Sequence, residues 1–147
     1  SQKATDAVLR HAELNGLAVE AQCGEAIHAL RALADGSEED RPGLVVVDPP
    51  KFATKTAALD GALKKYQALN AVALSAVADG GWLVSCSCSG LVEPQAFVRM
   101  LAMAAQQAGR TIQLVQLRGA SADHPTAPAH GEGRYLKVAI LRVSEKA

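Results

Sequence analysis

The stretch Leu44-Val45-Val46-Val47-Asp48-Pro49-Pro50-Lys51-Phe52 constrains what this chain can fold into more than any other. Four apolar residues, three of them β-branched, run straight into an acid and two prolines. That is the pattern of a fully buried strand of a parallel sheet ending in a working loop. Proline cannot continue a central strand, so Pro49 and Pro50 fix its end and hold the loop extended. Asp48 then stands at the carboxyl edge of the sheet, where open α/β folds bind their ligands. It is the first candidate for chemistry.

The rest of the chain alternates around this strand. Ala4, Val8, Ala12 and Leu14 fall near helical spacing, and Asn15-Gly16 supplies a left-handed helix end. A weak strand is expected over Leu17 to Cys23. A helix through Ile27, Leu30 and Leu33 follows, and it dissolves into the acidic loop Asp35 to Asp40. After the central strand, Leu59, Leu63, Tyr66, Asn70, Ala73 and Val77 mark one face of a long helix ending at Gly80-Gly81. Trp82 to Cys86 reads as the next strand, running into the small polar turn Ser85-Cys86-Ser87-Cys88-Ser89-Gly90. Pro94 opens a helix that Gly109 closes. Thr111 to Leu117 and Tyr135 to Val143 read as two strands joined by a long loop without a helix, hence as an antiparallel pair at a sheet edge. The order predicts one doubly wound α/β domain whose last strand is antiparallel. Such folds begin with a strand, whereas this sequence begins with a helix.

Composition narrows the function classes. With 147 residues and 49% hydrophobic content the chain can build a core, and with 3% aromatics that core must be mostly Ala, Leu and Val. Fifteen basic residues balance fifteen acidic ones, so bulk charge cannot drive nucleic-acid binding. The charges are unevenly spread: nine acids and four bases from Ser1 to Asp48, seven bases and three acids from Arg99 to Ala147. This allows a basic face in the last third or simply a solvated charged surface. Cys23, Cys86 and Cys88 are an odd number, without a CxxC or a metal-ligand spacing, and read as free thiols in a reducing compartment. No metal site, signal segment or membrane-length apolar run is expected. The expectation is a cytoplasmic protein.

Four motifs occur in order: Asp48-Pro49-Pro50-Lys51-Phe52, Ser87-Cys88-Ser89-Gly90, Ala122-Asp123-His124-Pro125 and Glu132-Gly133-Arg134-Tyr135-Leu136-Lys137. Together they resemble the class I S-adenosylmethionine-dependent methyltransferases that make 5-methylcytosine in large-subunit ribosomal RNA, the RlmI-like group. The resemblance covers essentially the whole chain but only the later part of the family's catalytic domain. It implies a Rossmann-like methyltransferase sheet lacking its first two strands, S-adenosylmethionine as cofactor and ribosomal RNA as partner. The family's Gly-rich cofactor turn and its ribose-binding acid have no counterpart in this sequence.

The resemblance also assigns roles. Cys88 aligns with the catalytic cysteine. Carbon 5 of cytosine is a poor nucleophile, and a thiolate adding at carbon 6 makes it an enamine-like one, splitting a hard step in two. Asp48 is expected to hold the polar edge of the base and support protonation at the ring nitrogen. Asp48 and Pro49 border the cofactor, with Glu25 where the family has an acid near the adenine amino group. Glu25 is equally readable as a first-turn helix acid. Pro50, Lys51 and His124 are assigned to the substrate side. Lys51 has a phosphate-binding or thiolate-holding reading beside a solvated one, and His124 a proton-handling reading beside a structural one. Cys86, two residues before Cys88, points to the same face if the strand continues. An amino-methyltransferase is the alternative enzyme, although Lys51 occupies the position where those enzymes carry an aromatic residue. A non-catalytic module derived from a methyltransferase is the third reading.

The missing first strand carries a structural expectation. In this fold it lies beside the strand ending at Val47. Without it, Leu44 to Val47 exposes an apolar edge, to be covered by a further segment of a longer polypeptide or by a second copy of the chain.

Overall fold

The structure is a computed structural model that describes residues 1–127, 129 and 133–145. His130 and Glu132, both named in the sequence or its motifs, lie outside the described residues. Four α-helices and four strands follow in order among the described residues: α1 (Gln2–Leu14), α2 (Ala26–Asp35), β1 (Leu44–Val47), α3 (Leu59–Ala76), β2 (Trp82–Ser87), α4 (Pro94–Ala108), β3 (Arg110–Arg118) and β4 (Lys137–Glu145).

Local sequence explains most of the boundaries. Gly16 adopts φ 66° just beyond α1, and Leu17 N–H bonds back to Ala12 O at 2.9 Å. In α4, Glu93 is extended, Pro94 occupies the first turn, and Gly109 closes the helix in left-handed conformation at φ 64°. Helix α3 ends at Ala76, because Val77 has already turned extended at ψ 134°. Gly80, at φ 67°, then reverses the chain toward β2.

The four strands form one sheet in the order β1-β2-β4-β3. β1 and β2 are parallel, with Val47 beside Ser85, and β4 runs antiparallel to both of its neighbours. The last strand is thus antiparallel, as expected, and β3 and β4 form the edge pair. A one-residue bulge at Val115 breaks the β3–β4 register.

Two expectations are corrected. Leu17 to Cys23 forms no strand. A strand exists only by exchanging hydrogen bonds with a neighbour, and in this sheet the free side of β1 has no paired strand among the described residues. The second correction concerns β1, which is buried on one face instead of two. Val45 and Val47 point into the core, whereas Leu44 and Val46 are 57% and 60% exposed. The core lies on the side where α3 and α4 pack: Val45, Val47, Leu83, Leu141 and Val143 meet Tyr66, Leu74, Phe97 and Leu101. α2 packs on α3, while α1 buries only Ala12.

Gly81 is the tightest point of this packing. A Cβ there would meet Val77 Cγ1 at 2.6 Å, Ala78 O at 2.8 Å and Gly43 O at 2.9 Å. Two of these atoms belong to backbone that holds the start of β2, since Trp82 N–H donates to Gly43 O at 2.9 Å. Gly81→Ala is therefore expected to lower unfolding stability by about 3 kcal/mol through overpacking. Gly24, where an added Cβ would have nothing within 4 Å, serves as the neutral Gly→Ala control. Urea midpoints of the two variants measure the difference.

Candidate functional site

The carboxyl ends of β1 and β2 are adjacent, so the register that pairs Val47 with Ser85 brings Asp48 beside Cys86. Along β2 the side chains alternate. Leu83, Ser85, Ser87 and Ser89 are buried toward the helices, while Val84, Cys86 and Cys88 are half-buried on the opposite face. β2 ends at Ser87, so Cys88 stands in the turn just beyond the strand that carries Cys86, and both are free thiols.

Burial pushes the Cys86 thiol above its ordinary value, and the neighbouring Asp48 carboxylate pushes it in the same direction. Cys86 is consequently held in its neutral, less nucleophilic form.

After Asp48 the loop folds back into the protein. Pro49 is buried and Pro50 exposed. The Phe52 ring packs 4.7 Å from the Tyr66 ring, with the Lys65 ammonium 5.9 Å from its centroid. Ala53 N–H donates to Ser89 Oγ at 3.3 Å, and the Tyr66 hydroxyl hydrogen-bonds the same oxygen at 3.1 Å. The Ser89 carbonyl accepts from Lys137 Nζ at 2.5 Å, and that ammonium also donates to Tyr135 O at 2.7 Å. Ser89 therefore joins the Asp48–Phe52 loop, α3 and β4 to the turn that carries Cys88.

A cleft of about 1230 Å³ opens between α2, the loop after β1 and the free side of β1. Its walls include Glu25, Ile27, Val46, Asp48, Pro49, Pro50 and Phe52. Four of the residues expected at the site, Glu25, Asp48, Pro49 and Pro50, thus line one cavity. A largely apolar cleft with a carboxylate on each side suits a flat heteroaromatic group bearing amino or hydroxyl donors. Lys51 is exposed and close enough to the Lys137 ammonium to oppose its charge. His124 is not brought to the cleft. Its imidazole pairs with the Asp123 carboxylate at 3.1 Å on an open surface. Hydrogen bonds from Ser121 and His124 hold the Asp123 carboxyl below its usual range.

Sequence reasoning missed Ser89, Tyr66 and Lys137 as members of the site. Ser89 and Lys137 lie within the quoted motifs, but nothing local reveals a contact across 48 positions. Among the described residues no group of three or more His, Cys, Asp or Glu is arranged to hold a metal, and no helix is long and apolar enough to cross a membrane.

No family model matches the chain. Curated relatives do. The ribosomal RNA large subunit methyltransferase I of Aeromonas hydrophila is 39% identical over 143 residues, covering 97% of this chain and 36% of that protein. The proteins of the same name from Vibrio cholerae and Alteromonas mediterranea are 40% and 34% identical, covering 93% and 99% of this chain. The chain is homologous to these proteins along nearly its whole length and spans about a third of theirs (35% to 37%). A solved structure described as a "putative methyltransferase complexed with SAH" superposes with a TM-score of 0.72 over 97% of this chain and 37% of that one, at 14% identity. A second, described as a SAM-dependent methyltransferase from Streptococcus mutans, gives the same TM-score at 15% identity. At these identities the likeness establishes the fold alone, a mixed α/β sheet shared with these structures.

Asp48→Asn removes the like charge beside Cys86, so more of that thiol ionises at mildly alkaline pH. Mass-spectrometric alkylation rates at pH 8 should therefore rise for Cys86 in Asp48→Asn while exposed Cys23 reacts as before. An unchanged Cys86 rate would contradict the placement of Asp48.

Proposed function

We propose that this chain is the substrate-side portion of an S-adenosylmethionine-dependent methyltransferase that acts on carbon 5 of a cytosine in ribosomal RNA. The observation that carries the reading is the union of two motif turns through one buried serine. Ser89 ties the Asp48 loop to the Cys88 turn, so a carboxylate and a thiol stand at adjacent strand ends. Homology to proteins named for ribosomal RNA methylation supplies the substrate class.

Glu25, Asp48 and Pro49 would hold the adenine end of the cofactor in the cleft. Their apolar and carboxylate lining fits it. When bound, S-adenosylmethionine supplies an electrophilic methyl group on sulfur. The Gly-rich turn that would hold its methionine end belongs to a part of the enzyme other than these residues, so the domain is a partial one.

The chain's own residues prepare the base. Cys88 Sγ, as thiolate, bonds to carbon 6, and the displaced electron pair loads carbon 5 while a proton arrives at the ring nitrogen. Asp48 accepts hydrogen bonds from the amino group and the protonated nitrogen, which stabilises the adduct as it forms. Once carbon 5 is methylated and has given its proton to a solvent base, the sulfur–carbon bond breaks, the ring nitrogen releases the proton it took up, and the thiolate is restored. Pro50 shapes the substrate side of the loop, and Lys51, exposed beside it, meets an RNA phosphate. His124, on its open surface loop, contributes to RNA contact. The partner being ribosomal RNA, the enzyme works in the cytoplasm.

The complete protein, incubated with 5-fluorocytosine-containing ribosomal RNA and cofactor, is expected to trap a covalent protein–RNA complex, because fluorine at carbon 5 blocks the final elimination. Cys88→Ala should abolish the complex on a denaturing gel, and Cys86→Ala should retain it. Trapping that survives Cys88→Ala would reject the assignment.

A further inference from the structure

Lys137 is the least expected buried group in the chain. Lysine is almost never fully buried unless its charge is paired, yet Lys137 is 3% exposed on the helix side of the sheet, in line with Ala139, Leu141 and Val143. Its ammonium rests on two carbonyl oxygens, Ser89 O and Tyr135 O. The charged and titratable groups that face it come from three other elements: Glu93 before α4, Cys88 after β2 and Lys51 after β1. Burial pulls the ammonium below its usual range, with Lys51 adding to the effect, while Glu93 and Cys88 favour the charged form. An apolar side chain of the same length would fill this space without the desolvation cost.

Lys137 holds the peptide that follows Cys88. Tyr66 and Ala53 grip the Ser89 hydroxyl from the helix and loop sides, and Lys137 grips the Ser89 carbonyl from β4. Ser89 is fixed at three points on three elements. The residue before it can then not swing relative to the Asp48 loop.

We propose that Lys137 is a positioning residue for the nucleophile, holding the Ser89 carbonyl so that Cys88 Sγ keeps its place against the base that Asp48 grips. The proposal rests on the reading of Cys88 given above. A nucleophile displaced by an ångström loses about 10²-fold in rate without a comparable loss of binding.

The test uses the complete protein and single-turnover trapping on 5-fluorocytosine-containing ribosomal RNA, with RNA and S-adenosylmethionine affinities measured separately. Lys137→Met is expected to slow adduct formation by about 10²-fold, with both affinities unchanged. Lys137→Arg, which can still donate to Ser89 O, should recover part of the rate. Hydrogen exchange at Ala53 N–H, whose acceptor is Ser89 Oγ, should accelerate in Lys137→Met. A folded Lys137→Met that forms adduct at the native rate overturns the proposal, as does a rate loss matched by an equal loss of RNA affinity. Where Lys137→Met does not fold, Lys137→Gln, which removes the ammonium but keeps a polar end, carries the same test, and a native adduct rate there overturns it equally. Adduct formation by Cys88→Ala would instead refute Cys88 as nucleophile, an outcome no Lys137 variant can produce.

Discussion

The site depends on the hydrogen bonding of one buried residue, Ser89, which is 0% exposed. A serine offers one donor and two acceptor lone pairs at its hydroxyl, with a further acceptor at its carbonyl. Here the hydroxyl meets Ala53 N–H and Tyr66 Oη, and the carbonyl meets the Lys137 ammonium. Each bond stabilises the fold by only about 1 kcal/mol net, but breaking one strands a buried partner at a cost of about 1–3 kcal/mol. The three bonds form one network around Ser89. It joins loops that leave two different strands and so sets the distance between an acid and a thiol.

The sheet is asymmetric in a way that serves the same end. Helices α3 and α4 cover one face, and the half-buried face presents Val84, Cys86 and Cys88, with Leu44 and Val46 standing open on the neighbouring strand. The cleft follows the free side of β1, so a strand paired there would form part of its wall. The Asp48 carboxylate lines the cleft at the end of β1, and burial together with this carboxylate pushes the Cys86 thiol above its ordinary value.

Elements with strong local signals were legible in the sequence. The Leu44–Val47 strand, the Pro94-to-Gly109 helix and the antiparallel last strand needed only β-branched runs, a first-turn proline and a left-handed glycine. Leu17 to Cys23 was not legible, because apolar and β-branched residues specify a strand only where a neighbour is available to pair. The double-sided burial of β1 failed for a related reason: periodicity reports what a segment can bury, and the cover must come from elsewhere. In the site, Glu25, Asp48, Pro49 and Pro50 were foreseen and do share a cleft, whereas His124 lies away from it. Tyr66 read as a core residue of a helix face, which it is. Its hydroxyl's bond to Ser89 depends on tertiary placement that no local pattern encodes.

In the proposed reaction the Asp48 loop and the Cys88 turn act on one base. A crystal structure of the trapped complex between the complete protein and 5-fluorocytosine-containing RNA tests it most directly. The account predicts a bond from Cys88 Sγ to carbon 6, with an Asp48 carboxylate oxygen about 2.7–3.2 Å from a nitrogen of the same ring's polar edge. An adduct on Cys86, or an Asp48 carboxylate turned away from the base with no hydrogen bond to it, would contradict it.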